Sequence, residues 1–330
     1  MREKKNGQDW SKLTVLVTGG TGSFGQKFTE VVLKDYRPKK LIIFSRDEHK
    51  QSEMREKFPH AELRFFLGDV RDLSRLLRAF DGVDLVVHAA ALKQIPTLEY
   101  NPFEAVKTNI IGTQNVVEAA VEREVAKVLV ISTDKAVNPI SLYGATKLCT
   151  EKISVDANAY SGQRRTRIAC VRYGNVVGSR GSVVPLFLEQ RKTGVLTITD
   201  KRMTRFWMTI EEGVRFVIRS VEVMHGGEIF VPRIPSMRIT DLAKALAPDC
   251  KLKVVGVRPG EKLHEVLLTE DEARRTHAFD EFFVVEPEYL FKNDQRWTDG
   301  KSLPEGFRYT SDQNERWLTP ESLRAMVDEK

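Results

Sequence analysis

Cysteine is scarce in this 330-residue chain: Cys149, Cys170 and Cys250 are the only three, and they are far apart in sequence. Such spacing excludes a disulfide framework and a cysteine-built metal site, so no metal is expected. The three read as small apolar residues of a reduced compartment, and the expected location is cytoplasmic. Long apolar runs are missing too. None approaches the ~20 residues that a bilayer span requires, so no membrane partner is expected. Residues 1–10 (MREKKNGQDW) are charged without an apolar centre and do not read as a signal peptide. Nor does charge of one sign gather anywhere. The 52 Lys and Arg are dispersed among 46 Asp and Glu, and the net charge is +6. No basic stripe or nucleic-acid motif is evident, so nucleic acid is excluded as the expected partner. A small anionic ligand would still gain from a positive site.

What is present is an alternation of strand and helix signals. With 41% hydrophobic and 30% charged residues, the chain is long enough for one large domain and a smaller lobe. Residues 13–18 (LTVLVT) read as a short buried strand running into Gly19-Gly20-Thr21-Gly22-Ser23-Phe24-Gly25 and then a helix. This is a dinucleotide fingerprint in its G-x-x-G-x-x-G form. Gly19 makes the tight turn, Gly22 lets backbone approach a pyrophosphate, Gly25 allows helix to pack on strand, and the helix N-terminus offers free N–H groups. At the end of the second strand, residues 41–44, stand Ser45 and Arg46, which suit a 2′-phosphate and point to NADP. Asp47 follows, so NAD stays open. In a fold of this kind Asp69 and Val70 lie where an adenine ring is held. Ala89 and Ala90, after a strand at 83–88, let backbone come close to the cofactor, with Lys93 beyond them. A helix at 101–124 with Pro102 just inside it and a strand at 127–131 continue the alternation. The expected fold is therefore α/β: a Rossmann-type doubly wound parallel sheet covered on both faces.

The stretch STDKAVNPISLYGATKL begins at the carboxyl end of that last strand, where open α/β sheets bind ligands. Tyr143 and Lys147 are four apart, on one face of a helix, so an ammonium can approach a phenol and favour its phenolate. Alone, this spacing equally suits two solvated helix residues. Asp134 and Lys135 read singly as a turn cap and a loop ammonium, and Asn138-Pro139 as a turn feeding the helix. The combination with Thr133 points to acid and base chemistry.

Taken together, Thr18 to Gly25, Ser45 to Glu48, Gly68 to Asp72, His88 to Lys93, the 132–147 stretch, Arg172 to Pro185, Met203 to Trp207 and Arg258 to Glu265 resemble the inverting UDP-N-acetylglucosamine 4,6-dehydratases of the extended short-chain dehydrogenase/reductase family. The resemblance covers about residues 12–290. Lys135 is its discriminating position, because 4-epimerases carry small or hydroxyl residues there and retaining dehydratases carry Asp-Glu.

The resemblance implies a tightly bound NADP, regenerated each turnover, and UDP-N-acetylglucosamine as substrate. It implies that Tyr143 takes the C4 hydroxyl proton while the cofactor takes the C4 hydride. Lys135, if neutral, would remove the C5 proton while Asp134, if protonated, serves the departing C6 hydroxyl; hydride returns to C6 and C5 is inverted. Thr133 and Lys147 complete the catalytic group. The cofactor set implied is Gly19, Thr21, Gly22, Ser23, Phe24, Gly25, Ser45, Arg46, Asp69, Val70, Ala89, Ala90, Lys93, Tyr143 and Lys147. Lys93, Thr133, Asn175, Val183, Pro185, Arg205, Arg258 and Glu261 are expected to meet the sugar nucleotide. His264 reads as a surface residue, and Trp297 and Trp317 as packing residues. A homo-oligomer is implied, and pseudaminic acid synthesis as the pathway. The expected division is 1–173 plus 205–225 for the NADP-binding domain and 174–204 plus 226–330 for a mixed α/β substrate lobe. Two other readings stay open: a sugar-nucleotide epimerase, and a catalytically silent NADP-binding regulator.

Overall fold

A computed structural model describes residues 8–161, 165–178, 182–289 and 297–328. Most of the charged amino-terminal segment and residues 179–181 of the Arg172 to Pro185 motif lie outside the described residues.

The first half of the chain alternates as its sequence pattern demands. The elements run β1 (Thr14–Thr18), α1 (Ser23–Val31), β2 (Lys40–Ser45), α2 (Glu48–Lys57), β3 (Leu63–Leu67), α3 (Leu73–Ala79) and β4 (Leu85–His88). Next come α4 (Ile95–Tyr100), α5 (Pro102–Ala105), α6 (Gly112–Glu122), β5 (Lys127–Thr133), α7 (Leu142–Tyr160) and β6 (Arg167–Tyr173). Strands β1 and β4 are buried along their whole length, which is why they read as unbroken apolar runs rather than alternating ones. The order β3-β2-β1-β4-β5-β6 is parallel throughout and reverses between β1 and β4. In such sheets the ligand crevice opens at that reversal, beyond the carboxyl ends of the strands.

After β6 the chain leaves the sheet through β7 (Asn175–Val176), α8 (Val183–Gln190), β8 (Val195–Ile198) and β9 (Thr204–Met208), then returns by α9 (Ile210–Val223) to β10 (Ile229–Pro232). It leaves again through β11 (Ser236–Arg238), α10 (Ile239–Leu246) and β12 (Lys251–Val254), followed by β13 (Val266–Leu268) and α11 (Glu270–Ala273). The last elements are β14 (Thr276–Ala278), β15 (Phe282–Val285), β16 (Lys301–Ser302), β17 (Tyr309–Thr310) and α12 (Pro320–Asp328). Val184, Phe187, Leu196, Trp207, Leu242 and Leu323 form a small core of their own, separate from that of the large sheet. The lobe boundary expected from the sequence is corrected here. Residues 226–330 do not lie wholly in the second lobe, because β10 joins β6 in parallel and β15, β14 and β16 extend the large sheet antiparallel. The reason is that Ile229–Pro232 and Phe282–Val285 are buried on both faces and need the main sheet to cover them. Among the described residues no helix is long and apolar enough to cross a membrane.

Behind the crevice sits a buried cation. Arg172, on β6 and 1% exposed, donates from Nε and Nη2 to Glu151 of α7 (2.9 and 2.6 Å), from Nη1 and Nη2 to Glu272 of α11 (3.0 and 2.8 Å), and from Nη1 to the Leu267 carbonyl (3.0 Å). Burial alone would raise the Glu272 carboxyl, but Arg172 outweighs it and holds the group below its ordinary range. One guanidinium thus joins sheet, helix and the carboxy-terminal segment. Replacing it leaves two carboxylates facing each other without a counter-charge, so Arg172→Met should cost about 3–5 kcal/mol. Urea unfolding read by circular dichroism should show the midpoint fall accordingly.

Candidate active site

The crevice is a cleft of about 1070 Å³ reaching from the β1 turn to the second lobe. Gly19, at φ +66°, brings this turn so close to the loop after β4 that an added Cβ would lie 2.9 Å from the Ala90 backbone. Gly22 is the N-cap of α1 and offers no side chain to its free N–H groups. Thr21, Ser23 and Phe24 line the cleft with these glycines, as do Ser45, Arg46, Asp69, Val70, Ala89, Ala90 and Lys93. Gly25 does not line it. Its Cα packs on Gly20, where a Cβ would meet the carbonyl oxygen. A glycine cradle with unclaimed helix N–H groups fits the pyrophosphate of a dinucleotide.

The second-strand residues divide their labour. Asp47 caps α2, accepting from the Lys50 N–H (3.0 Å) and from its ammonium (2.5 Å). Ser45 is buried and bonded to Gln51 (3.0 Å). Among the described residues Arg46 reaches only Asp69, at 3.5 Å, and it keeps about half of its side chain exposed.

At the end of β5, Asp134–Ala136 forms a single tight turn whose N-cap is Thr133. Helix α7 starts beside it, with the Ser141 hydroxyl accepting from the Gly144 N–H (3.2 Å). A Cβ on Gly144 would stand 2.3 Å from the Lys135 carbonyl oxygen, so glycine is what lets the helix and the turn touch. This contact gathers the expected catalytic group. Lys135 Nζ donates to Asp134 Oδ1 (3.0 Å) and Asn175 Oδ1 (3.3 Å), and Thr133 Oγ1 donates to Asp134 Oδ1 (2.8 Å). Thr133, Lys135, Tyr143 and Lys147 line the cleft; Asp134 is wholly buried behind them, with Oδ2 unpaired.

Two electrostatic features bear on the expected roles. Burial alone would lower the Lys135 ammonium, but Asp134 and Glu265 more than reverse this, so the resting lysine is charged rather than neutral. Burial also pushes the Tyr143 phenol up to about 12, and the cation that opposes the rise is Lys135. Lys147, drawn down to about 8 by its own burial, donates instead to the Ile131 carbonyl (2.5 Å).

The expected substrate residues also line the cleft: Lys93, Thr133, Asn175, Val183, Pro185, Arg205, Arg258 and Glu261. They are not equally free. Asn175 is already held by Lys135. Arg205 donates to the Thr204, Leu263 and Lys262 carbonyls (2.7, 3.0 and 2.9 Å), so it pins a loop before it can meet a diphosphate. Arg258 is exposed and lies 4.0 Å from Glu261. His264 is no simple surface residue, since its ring bonds the Thr204 hydroxyl (2.8 Å). Trp297 packs against His225, Phe230 and Phe279. Two site residues escape the sequence reading. Asn109 joins the loop after β4 to α7, exchanging hydrogen bonds with Leu92 (2.8 and 2.9 Å) and reaching Thr146 (3.0 Å). Glu265, at the start of an apolar strand, is buried beside Lys135. A carboxylate before an apolar run was a signal of burial, but only the fold shows what it faces.

The profile of the family described as polysaccharide biosynthesis protein matches residues 15–287. The UDP-N-acetylglucosamine 4,6-dehydratase (inverting) of Campylobacter jejuni subsp. jejuni serotype O:2 is 49% identical over 328 residues, covering 97% of this chain and 98% of its own. The UDP-glucose 4-epimerase of Rickettsia conorii is 44% identical over 280 residues, with 82% of each chain covered. Among solved structures, that of Pen from Bacillus thuringiensis superposes with a TM-score of 0.89 at 35% identity, covering 98% of this chain and 100% of its own.

Gly144→Ala tests the contact that assembles the site. Its methyl group must force α7 away from the Asp134–Ala136 turn, at a cost of about 1–3 kcal/mol. Urea unfolding should register that loss.

Proposed function

The chain belongs to the polysaccharide biosynthesis protein family and, within it, to the inverting UDP-N-acetylglucosamine 4,6-dehydratases, and from that premise we propose how its cleft works. It is a hydro-lyase that converts UDP-N-acetylglucosamine to UDP-2-acetamido-2,6-dideoxy-β-L-arabino-hex-4-ulose. The observation that carries the residue roles is the ammonium of Lys135 bonded to the Asp134 carboxylate on the wall that also bears Tyr143.

A nicotinamide dinucleotide, when bound, supplies the reversible two-electron acceptor that oxidises C4 and later reduces C6. The glycine turn, Ala89, Ala90, Asp69 and Val70 would hold it, with Lys147 and Tyr143 further along the same cleft to serve the group it oxidises. Tyr143 accepts the C4 hydroxyl proton. Because burial holds its phenol high, it depends on neighbouring positive charge to act as a base. The C4 ketone then acidifies C5.

Lys135 becomes a base by passing its own proton to Asp134, 3.0 Å away, as substrate displaces water from the cleft. The amine takes the C5 proton. Asp134 returns the borrowed proton to the departing C6 hydroxyl through Thr133, whose hydroxyl bonds Asp134 and lines the cleft. The pair finishes as it began, one ammonium and one carboxylate, so the proton account closes on the C5 proton and the lost water. C5 is then protonated on the opposite face, which inverts it, by the equivalent of the proton that Tyr143 took from the C4 hydroxyl, exchanged with solvent, so that the phenolate is restored. The product is suited to the first step of pseudaminic acid synthesis.

The cofactor preference we propose is NADP. Asp47 is committed to capping α2 and Lys50, which leaves no free carboxylate there for a ribose diol, while the half-exposed Arg46 suits a 2′-phosphate.

Proton NMR of the protein with UDP-N-acetylglucosamine in D2O tests the reaction. A new C6 methyl with deuterium at an inverted C5 is expected, and Lys135→Met and Tyr143→Phe should slow its appearance by roughly two to four orders of magnitude. A C4 epimer without any methyl would instead favour the activity named for the Rickettsia relative. For the cofactor, Arg46→Ala should weaken NADP binding about 10- to 100-fold and leave NAD binding nearly unchanged, as read by fluorescence titration of the reduced forms.

A further inference from the structure

Glu265 is 2% exposed, and its backbone is tied in both directions to Ser311: its N–H donates to Ser311 Oγ (2.8 Å), and its carbonyl accepts from the Ser311 N–H (2.9 Å). The side chain borders the cleft. Oε1 lies 3.6 Å from both Lys135 Nζ and Arg205 Nε, and Oε2 lies 3.9 Å from Lys262 Nζ with no hydrogen-bond partner. A buried carboxylate that only serves to brace a fold normally closes its hydrogen bonds. This one faces three cations and bonds none of them closely.

We propose that Glu265 is a positioning residue for Lys135, holding its amine against Asp134 and Asn175 and keeping it an ammonium until substrate fills the cleft. The catalytic consequence rests on the dehydratase reading; the electrostatic one does not. The groups around Nζ are Asp134 from its own turn, Tyr143 from α7, Lys93 from the loop after β4, Arg205 from β9, and Lys262 and Glu265 from the segment before β13. When the Lys135 proton moves to Asp134, the total charge of the three groups is unchanged. Arg205 and Lys262 stay beside Glu265 throughout, at 3.6 and 3.9 Å. It therefore does not consume the proton but sets how readily Lys135 gives it up, and it marks where the amine stands.

The test is Glu265→Gln, which keeps the shape and removes the charge. Nitrogen-15 NMR of the lysine Nζ signals, with Lys135→Met to identify the signal, reads the proton state directly and needs no substrate. Lys135 should lose its proton at lower pH in Glu265→Gln than in the unsubstituted protein, by about one unit or more. The alkaline limb of the kcat/KM profile, where the Lys135–Asp134 pair loses that proton to solvent, should move down in pH by the same amount. Glu265→Asp, which keeps the charge, should retain the original pH dependence while lowering kcat, and it serves also where the glutamine variant does not fold. Identical Lys135 titration with and without the Glu265 charge would overturn the proposal, as would a uniform fall in rate with no change of profile. Failure to turn over UDP-N-acetylglucosamine would count against the dehydratase reading alone, because the NMR titration stands without it.

Discussion

The buried guanidinium of Arg172 is the constraint on which the rest of the structure depends. Both of its carboxylate partners belong to elements that carry the site. Glu151 lies one helical turn beyond Lys147 on α7, so the same helix face presents Lys147 to the cleft and Glu151 to the cation. Glu272 and the Leu267 carbonyl belong to the segment that begins at Glu265. An ion pair this deep adds little net stability compared with apolar packing, but it tolerates only one arrangement of its parts. The result is that the two walls facing Lys135 are referenced to a single atom cluster on β6.

In front of that cluster, the cleft places a second set of charges in a different balance. Arg172 has five donor contacts, all closed. Glu265 stands 3.6–3.9 Å from Lys135, Arg205 and Lys262, where charge is felt but no hydrogen bond closes, and among the described residues Asp134 Oδ2 and Glu265 Oε2 have no hydrogen-bond partner. A closed network fixes geometry; an open one leaves protons able to move. The raised phenol of Tyr143 and the charged resting amine of Lys135 describe a site that is inert until substrate arrives. Such a design keeps strong bases from forming in an empty cleft.

Much of this was legible in the sequence. The apolar runs of β1, β2, β4 and β5 fall within a residue or two of where their pattern predicts, because central parallel strands have no polar face to blur them. The glycine turn and the 132–147 stretch are local in sequence, and local contacts such as the Ser141 cap and the Gly144 packing are enough to bring Tyr143 to Lys135. The later elements were harder. Strands β10, β14 and β15 are short, and whether such a strand joins the large sheet or the small lobe is decided by a partner far away in the chain.

By itself, the sequence determined the strand–turn–helix form of the dinucleotide turn, the Tyr143 and Lys147 spacing and the adjacency of Asp134 to Lys135, since each is fixed within a single βα unit. Only the tertiary structure decided the state of those groups. Lys135 is held charged against its burial by Asp134 beside it and by Glu265, 130 positions away in the chain; Arg205 is occupied because it crosses to the 262–263 carbonyls; Asp47 is unavailable because a helix starts on it. Proton affinity and hydrogen-bond occupancy follow from distance and burial in three dimensions, and a linear pattern carries neither.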